Sequence, residues 1–307
     1  MRTNTAPTVV NKKGKLTQIW RARWCYLALL PTFAFLIVFL LYPAFTGVYR
    51  SFFRWKTSNY FEPKFDGIDN YIKLFKDEDF WGSFGTLLIF IVAGFITSFG
   101  VNLPFTYLIF RLRETKRGRF FQRAFVIPMM VPGMVVSMYW RFFYTHETGI
   151  LDQLLKLIGK EEWIHLWLGE KGYAMMSLLL QGFPWAGGFT MLILLAGLLN
   201  VDPALEESAR MDGASSWQVF LRVYLPLLVP QIKMLSILGM IGAIQDYGKQ
   251  ILFTNGRYDT TVPAFEMYQN AFVKGNYGYA AAQGVVLFVI ILVITMLQQK
   301  FIKRADD

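Results

Sequence analysis

Five stretches of this chain, Trp24 to Tyr49, Trp81 to Phe110, Ala124 to Trp140, Gly172 to Val201 and Gly275 to Gln299, contain no charged side chain. Each is long enough to cross the roughly 30 Å hydrocarbon core of a bilayer as a helix. A sixth apolar stretch, Val223 to about Phe253, is interrupted by Lys233 and, near its far end, by Asp246 and Lys249. It reads as a spanning helix that carries costly residues. Only helices and closed barrels satisfy their backbone groups in lipid, and runs of this length predict helices. The expected fold class is therefore an all-α integral membrane protein with six transmembrane helices. The first apolar run is too long for a cleaved leader and lacks a small-x-small cleavage site, so it is expected to remain as a span.

Charge distribution sets the expected topology. The net charge of +10 would suggest nucleic-acid binding in a soluble protein, but in a membrane chain Lys and Arg near helix ends mark the cytoplasmic side. The amino-terminal tail, residues 1–23, has Arg2, Lys12, Lys13, Lys15, Arg21 and Arg23 and no acid, and Arg111 to Arg123 holds six basic residues against Glu114 alone. Both are expected in the cytoplasm, as is the tail 303–307, which follows a transmembrane domain over 24–302. Loops 50–80, 141–171 and 254–274 mix both signs and suit the outer face. One cysteine, Cys25, and two histidines, His146 and His165, leave no material for a disulfide or a thiolate or imidazole metal centre. Pro31, Pro43, Pro104, Pro128, Pro132, Pro184, Pro226 and Pro230 fall in or at the ends of spans. Breaks of this kind persist in lipid where neighbouring helices or a water-lined cavity satisfy the freed groups, which favours a transporter over a simple anchor.

Residues 202–226 carry the main local signal. Asp202 predicts an N-cap with Pro203 at the first helical position, Glu206 lies in the early turns where the helix dipole favours a carboxylate, and Gly213 ends the helix. Ser215 or Ser216 caps a second helix with Trp217, Phe220 and Leu221 on one apolar stripe. On physical grounds alone this pattern also fits an ordinary helix hairpin resting on lipid headgroups.

The segment Glu207-Ser208-Ala209-x-x-Asp212-Gly213-Ala214, with Phe220 and Leu225-Pro226 after it, resembles the EAA loop of membrane subunits of binding-protein-dependent ATP-binding-cassette importers. Most of the chain resembles carbohydrate permeases of the maltose and glycerol-3-phosphate type. The matching stretches are Leu30-Pro31 to Tyr42-Pro43, Phe65-Asp66-Gly67-Ile68-Asp69-Asn70-Tyr71, Ile127-Pro128 to Trp140, Gly149-Ile150-Leu151-Asp152, Thr254-Asn255-Gly256 and Gly278-Tyr279-Ala280-Ala281-Ala282. Two positions depart from the pattern: Ser208 stands for the central alanine of the loop and Asn255 for a turn glycine. The resemblance implies a type I importer permease fold in the prokaryotic cytoplasmic (inner) membrane. It also implies a second, homologous permease as heterodimer partner, two ATP-binding-cassette ATPase subunits and an extracytoplasmic solute-binding protein, with a sugar or oligosaccharide as substrate. Glu207, Ser208, Ala209, Met211, Asp212, Gly213 and Phe220 are the implied ATPase-coupling residues, with Glu207 paired to ATPase donors and Met211 and Phe220 as apolar anchors in a loop helix continuous with the fifth span. The chain has no G-x-x-x-x-G-K-[ST] phosphate loop, so ATP and magnesium belong on the partner ATPase subunits, and no cofactor or metal is expected on this chain.

Gln181, Trp185, Gln245, Asp246 and Tyr247 are the candidate residues of a substrate pathway, because amides and aromatic faces recognise neutral sugars without a large desolvation penalty. For Asp246 the competing reading is an interfacial ion pair with Lys249, and Lys233 is expected to extend toward the cytoplasm. The same fold importing a phosphorylated polyol or another small solute is the alternative within the class. An ion-coupled secondary transporter would need more intramembrane carboxylates than Asp246, and an intramembrane hydrolase would need a nucleophile with a base inside a span.

Overall fold

The structure, a computed structural model, describes residues 23–182 and 187–301. Trp185, both charged tails and most of the amino-terminal basic cluster lie outside them. The chain divides after Arg50 into two units, described here in turn.

In the first unit the described residues form one long apolar helix, α1 (Tyr26–Arg50), with none of its described side chains buried within the unit. Its hydrogen-bond ladder widens to a π-type turn over Ile37–Leu41, two residues before Pro43. The same offset recurs twice in the second unit, where wide turns over Ile96–Asn102 and Phe220–Tyr224 end two residues before Pro104 and Pro226. A proline removes one N–H from the ladder and crowds the carbonyl four residues back. Widening the preceding turn relieves that crowding and lets a later N–H reach the orphaned carbonyl. The helices therefore run on through Pro43 and Pro104, whereas a sharp bend follows closely after Pro226.

The second unit begins with a short antiparallel ribbon of β1 (Phe53–Arg54) and β2 (Lys64–Phe65), in which Phe53 faces Phe65. Helix α2 (Asp69–Phe75) leads to α3 (Glu78–Arg111), a 34-residue span whose N-cap Asp77 accepts from Phe80 N. After α3 come α4 (Lys116–Val126), α5 (Gly133–Phe143), α6 (Ile150–Leu157), α7 (Tyr173–Leu180) and α8 (Gly188–Leu199). The remainder is α9 (Pro203–Met211), α10 (Ser216–Leu227), α11 (Val229–Gln245), α12 (Pro263–Tyr268) and α13 (Tyr277–Phe301). By length and composition α1, α3 and α13 each suffice to cross a bilayer, and three bent helix pairs bring the total to as many as six spans. The bends are 96° between Met130 and Gly133, at Pro132, 69° between α8 and α9, and 65° between α10 and α11.

Two expectations are corrected. The charge-free run 172–201 is not one helix: α7 ends at Leu180, Gly182 has φ +86°, and α8 starts at Gly188. Uninterrupted apolarity fixes burial in lipid but not helical continuity, and glycines 182, 187 and 188 allow the break. The 202–226 loop helix is also not continuous with the fifth span, since the Gly213 turn, α10 and the 65° bend intervene.

Side-chain packing collects at the two ends of this unit. One core joins Leu103 and Phe110 of α3, Leu194, Leu195 and Leu198 of α8, Val219, Phe220 and Tyr224 of α10, and Leu228 and Leu235. The other joins Leu74, Phe80, Leu87, Ile244, Tyr279 and Leu287. Outward-facing residues such as Leu88, Val92, Ile96, Leu238, Phe288 and Met296 remain exposed, as lipid-facing side chains do. Loop 111–123 meets the 202–226 segment through Arg111 and Glu206. At the opposite end loop 50–80 meets the start of the last span through Thr57 with Gly275 and Trp55 with Gly278, and loops 141–171 and 254–274 meet through Lys171 with Asp259.

Candidate functional site

The 202–226 segment folds as a helical hairpin whose caps are those the sequence specifies. Asp202 Oδ1 accepts from Ala204 N at 2.9 Å with Pro203 next in line. Gly213 takes φ +81°, a left-handed value that costs a glycine little. Ser215 and Gln218 form a reciprocal capping box, with Ser215 Oγ accepting from Gln218 N at 3.3 Å and Gln218 Oε1 accepting from Ser215 N at 2.8 Å.

Glu206 is the residue that ties the hairpin down. Its carboxylate accepts from Arg111 at the end of α3, from Arg210 Nε at 2.8 Å one turn along α9, and from Tyr224 Oη of α10 at 2.5 Å. Burial by itself would raise its pKa, but the bonds from Tyr224, Arg111 and Arg210 outweigh that and hold it down at about 2. Above it, Tyr107 packs on Phe220 with ring centroids 4.5 Å apart, and Tyr224 lies 5.4 Å from Phe110. Sequence reasoning gave Glu206 only a helix-dipole role. Its principal partner is 95 residues away, and no local spacing points to it.

The expected coupling residues separate into two groups. Glu207, Ser208, Met211, Asp212 and Gly213 are exposed, Met211 by 88%. Glu207 makes no ion pair or side-chain hydrogen bond among the described residues. Ala209 is half-buried against the core beneath the hairpin. Phe220 corrects the expectation of a second exposed anchor: only 3% of it is accessible, because it packs beneath the hairpin in the core with Val219 and Tyr224, against the Tyr107 ring. It holds the hairpin from beneath.

The pathway candidates are not gathered in one pocket. Gln181 Nε2 donates to Ser137 Oγ at 3.4 Å. Gln245, the last residue of α11, is exposed, and Asp246 stops that helix by accepting from Gly248 N at 2.9 Å. Asp246 and Lys249 line one cavity of about 110 Å³ with Phe90 and Gln250. They make no direct ion pair there: Lys249 Nζ donates to Leu178 O at 3.4 Å and sits 5.6 Å above the Phe90 ring. Tyr247 belongs to a different cavity, stacked on Tyr268 with centroids 5.3 Å apart. Lys233 donates to Gln299 O at 2.9 Å, which ties α11 to α13. No cluster of His, Cys, Asp and Glu among the described residues could hold a metal ion.

A helical membrane bundle with a capped, charge-anchored hairpin at one end defines a transport component driven from outside the chain. The chain belongs to the family of binding-protein-dependent transport system inner membrane components, whose family model matches residues 102–307. It is similar to a probable ABC transporter permease protein, YurN, of Bacillus subtilis (29% identity over 92% of this chain and 97% of the relative). It is also similar to AmyD of Thermoanaerobacterium thermosulfurigenes, a probable starch degradation products transport system permease protein (26% identity, 90% and 92%). Among solved structures, it matches a chain of a bacterial ABC transporter involved in the import of the acidic polysaccharide alginate, with a TM-score of 0.80 at 25% identity over 95% of this chain and 99% of that one. It also matches a chain of a bacterial alginate ABC transporter in complex with an alginate pentasaccharide-bound periplasmic protein, with a TM-score of 0.79 at 25% identity over 95% of this chain and 98% of that one. The all-α fold is therefore that of an ABC importer permease, a multi-pass inner-membrane protein. As a permease subunit it is a transport component and not a catalyst, working with an ATPase carried on separate chains and with a solute-binding protein.

Proposed function

We propose that this chain is one half of the translocation pathway of a carbohydrate importer, the other half being a second, homologous permease in a heterodimer, and that the α9–α10 hairpin receives the stroke of two ATPase subunits. The observation that carries this reading is the division of labour between adjacent carboxylates: Glu206 is spent inside the chain on Arg111, Arg210 and Tyr224, while Glu207 and Met211 project from the exposed side of α9. A short rigid helix that offers one unpaired charge and one flexible apolar side chain suits a groove on another protein. Ser208, Asp212 and Gly213 complete that exposed face. ATP and magnesium are bound by the ATPase subunits.

In this reading the 202–226 and 111–123 loops and both tails lie in the cytoplasm, since the basic excess of loop 111–123 is on that side. The opposite loops receive the extracytoplasmic binding protein. A saccharide is the cargo class, supported by the starch degradation products of one relative and the alginate of the matched transporter. Gln181, Gln245 and Tyr247, with Trp185, supply amide and aromatic groups along the way. Replacing Glu207 with Lys adds a repulsion where an attraction is expected. The test is the ATPase activity of the purified complex when liganded binding protein is added. Glu207→Lys should insert normally and lose most of the stimulation, and stimulation equal to wild type would refute the docking assignment.

A further inference from the structure

At the end of the bundle away from the hairpin, two adjoining open cavities of about 230 and 320 Å³ share Arg141, Leu168 and Phe253 in their walls. His146 and Trp167 line the first, and Arg257 and Tyr258 the second. Neither Arg141 nor Arg257 has an ion pair or a side-chain hydrogen bond among the described residues. Asp152, Asp259 and Glu170, three acids of the loops that carry these walls, are already engaged. Asp152, fully buried, accepts from Trp167 Nε1 at 2.5 Å and from Glu147 N at 2.8 Å, and its Oδ2 lies 3.4 Å from His146 Nδ1. Asp259 pairs with Lys171 at 2.5 Å, and Glu170 accepts from Leu166 N and faces His165. The region therefore presents two uncompensated guanidinium groups in a recess of sugar-ring size.

Both arginines are held on prepared backbone. The loop that carries Arg257 contains three non-glycine residues in left-handed conformation, Asn255, Tyr258 and Asp259. It is braced from below by the Thr254–Thr260 hydroxyl pair at 2.6 Å, by Gln250 Nε2 donating to Thr260 O at 3.1 Å, and by Thr260 Oγ1 donating to Arg257 O at 2.7 Å. Arg141 sits on the last turn of α5, and the Asp152 clamp fixes His146 and Trp167 beside it. Strained backbone held by buried hydrogen bonds is a signature of a site that must keep its shape. A guanidinium presents a planar fork to a carboxylate or sulfonate, and the Trp167 and Tyr258 rings offer flat apolar faces to a sugar ring.

We propose that this double cavity is a binding site for an anionic saccharide unit, with Arg141 and Arg257 meeting its acid groups as it passes between the binding protein and the membrane pathway. The proposal rests on the importer reading above and names the cargo as acidic. A carboxylate brought by the binding protein itself is the competing occupant, but an aromatic-walled recess suits a ring better than a flat protein rim.

The test uses the complex purified with its partner permease and ATPase in lipid nanodiscs without nucleotide, and calorimetric titration with galacturonate trisaccharide and with the neutral galactose trisaccharide. The acidic probe should bind more tightly than the neutral one and weaken as salt is raised. Arg141→Gln and Arg257→Gln should each weaken it roughly tenfold or more, and Arg141→Lys should recover part of the loss by restoring the charge. Equal binding of the two probes, or unchanged binding in both glutamine variants, would overturn the proposal. Loss of binding-protein association in these variants with uronate affinity intact would also overturn it, by making the recess a docking surface for an acidic protein patch. ATPase stimulation by the binding protein is read on the same samples. Its absence in wild type would count against the importer reading, independently of whether uronate binds.

Discussion

Replacing Glu206 with Gln separates anchoring of the hairpin from docking on it. The wild-type carboxylate is 16% exposed and accepts from two guanidinium groups and a phenol. The fall of its pKa from 4.5 to about 2 corresponds to about 3 kcal/mol of preference for the ionised form in the folded hairpin. Individual hydrogen bonds to a charged group contribute about 1.5–3 kcal/mol each, and they are not additive. Glutamine keeps the shape but loses the charge, and one of its two terminal atoms becomes a donor that faces donors. A loss of about 2 kcal/mol follows, which raises the population of the opened hairpin roughly thirtyfold.

Hydrogen exchange of the backbone amides of residues 203–211 in the assembled complex measures that population. Glu206→Gln should accelerate their exchange by that order, and transport per ATP hydrolysed should drop because part of the stroke is lost in a loose hairpin. Glu207→Gln should leave exchange unchanged in the absence of ATPase subunits. Because the folded pKa is depressed, the stabilisation is complete above the unfolded value of 4.5 and is lost as pH falls through about 2. Corrected for intrinsic rates, protection should therefore be flat between about pH 5 and 8. Unchanged exchange in Glu206→Gln, or equal acceleration in Glu207→Gln, would refute the anchoring argument.

Gly278 approaches the ribbon so closely that an added Cβ would lie 2.1 Å from Phe53 O; Gly278→Ala should destabilise the chain by about 1–3 kcal/mol, read as a lower thermal midpoint of the complex. Single cysteines placed in loop 111–123 should react with membrane-impermeant maleimide only from the cytoplasmic side, and those in loop 50–80 only from outside, after Cys25 is replaced by Ser. Gln245→Leu and Trp185→Ala should reduce uptake into vesicles several-fold, about what one lost hydrogen bond of 0.5–1.5 kcal/mol gives, without changing the affinity of the binding protein for its ligand. Unchanged uptake in both variants would move the sugar contacts to the partner permease.

What the sequence revealed divides along the range of the interactions. Spans, caps and the hairpin turn follow from residues within a few positions of one another: charge-free length, Asp202 with Pro203, Ser215 with Gln218, and Gly213 at φ +81°. Asn255, which departs from the expected glycine, has φ +51°, and asparagine is among the few residues that accept such a conformation. Contacts between distant segments stayed hidden, including Arg111 with Glu206, Asp77 with Tyr279, and Lys249 with Leu178. The anchor role of Phe220 was implied by the resemblance and not by the local stripe, and the ring that buries it, Tyr107, belongs to a helix more than a hundred residues away in sequence.

The anchoring of Glu206 changes how a stroke on the hairpin would travel. Were α9 continuous with the fifth span, force would pass straight into α11. The Gly213 turn and the 65° bend before Val229 make that route indirect. Glu206 instead links α9 to the end of α3 through Arg111 and to α10 through Tyr224, and the aromatic stack of Tyr107, Phe110, Phe220 and Tyr224 binds the same two helices. Such a load is shared between the second span and the segment entering the fifth. At the far end α3 packs instead on α11, the helix beyond the bend, where Leu87 of α3 and Ile244 of α11 share a core with Tyr279 and Leu287 of α13. A packed core is bistable and not continuously deformable. Because α3 is held to the hairpin at one end and to α11 at the other, a load on the hairpin reaches α11 through α3 as well as through the bend, and the wide turns at Ile96–Asn102 in α3 and Phe220–Tyr224 in α10 are where the ladder is already loosened enough to bend.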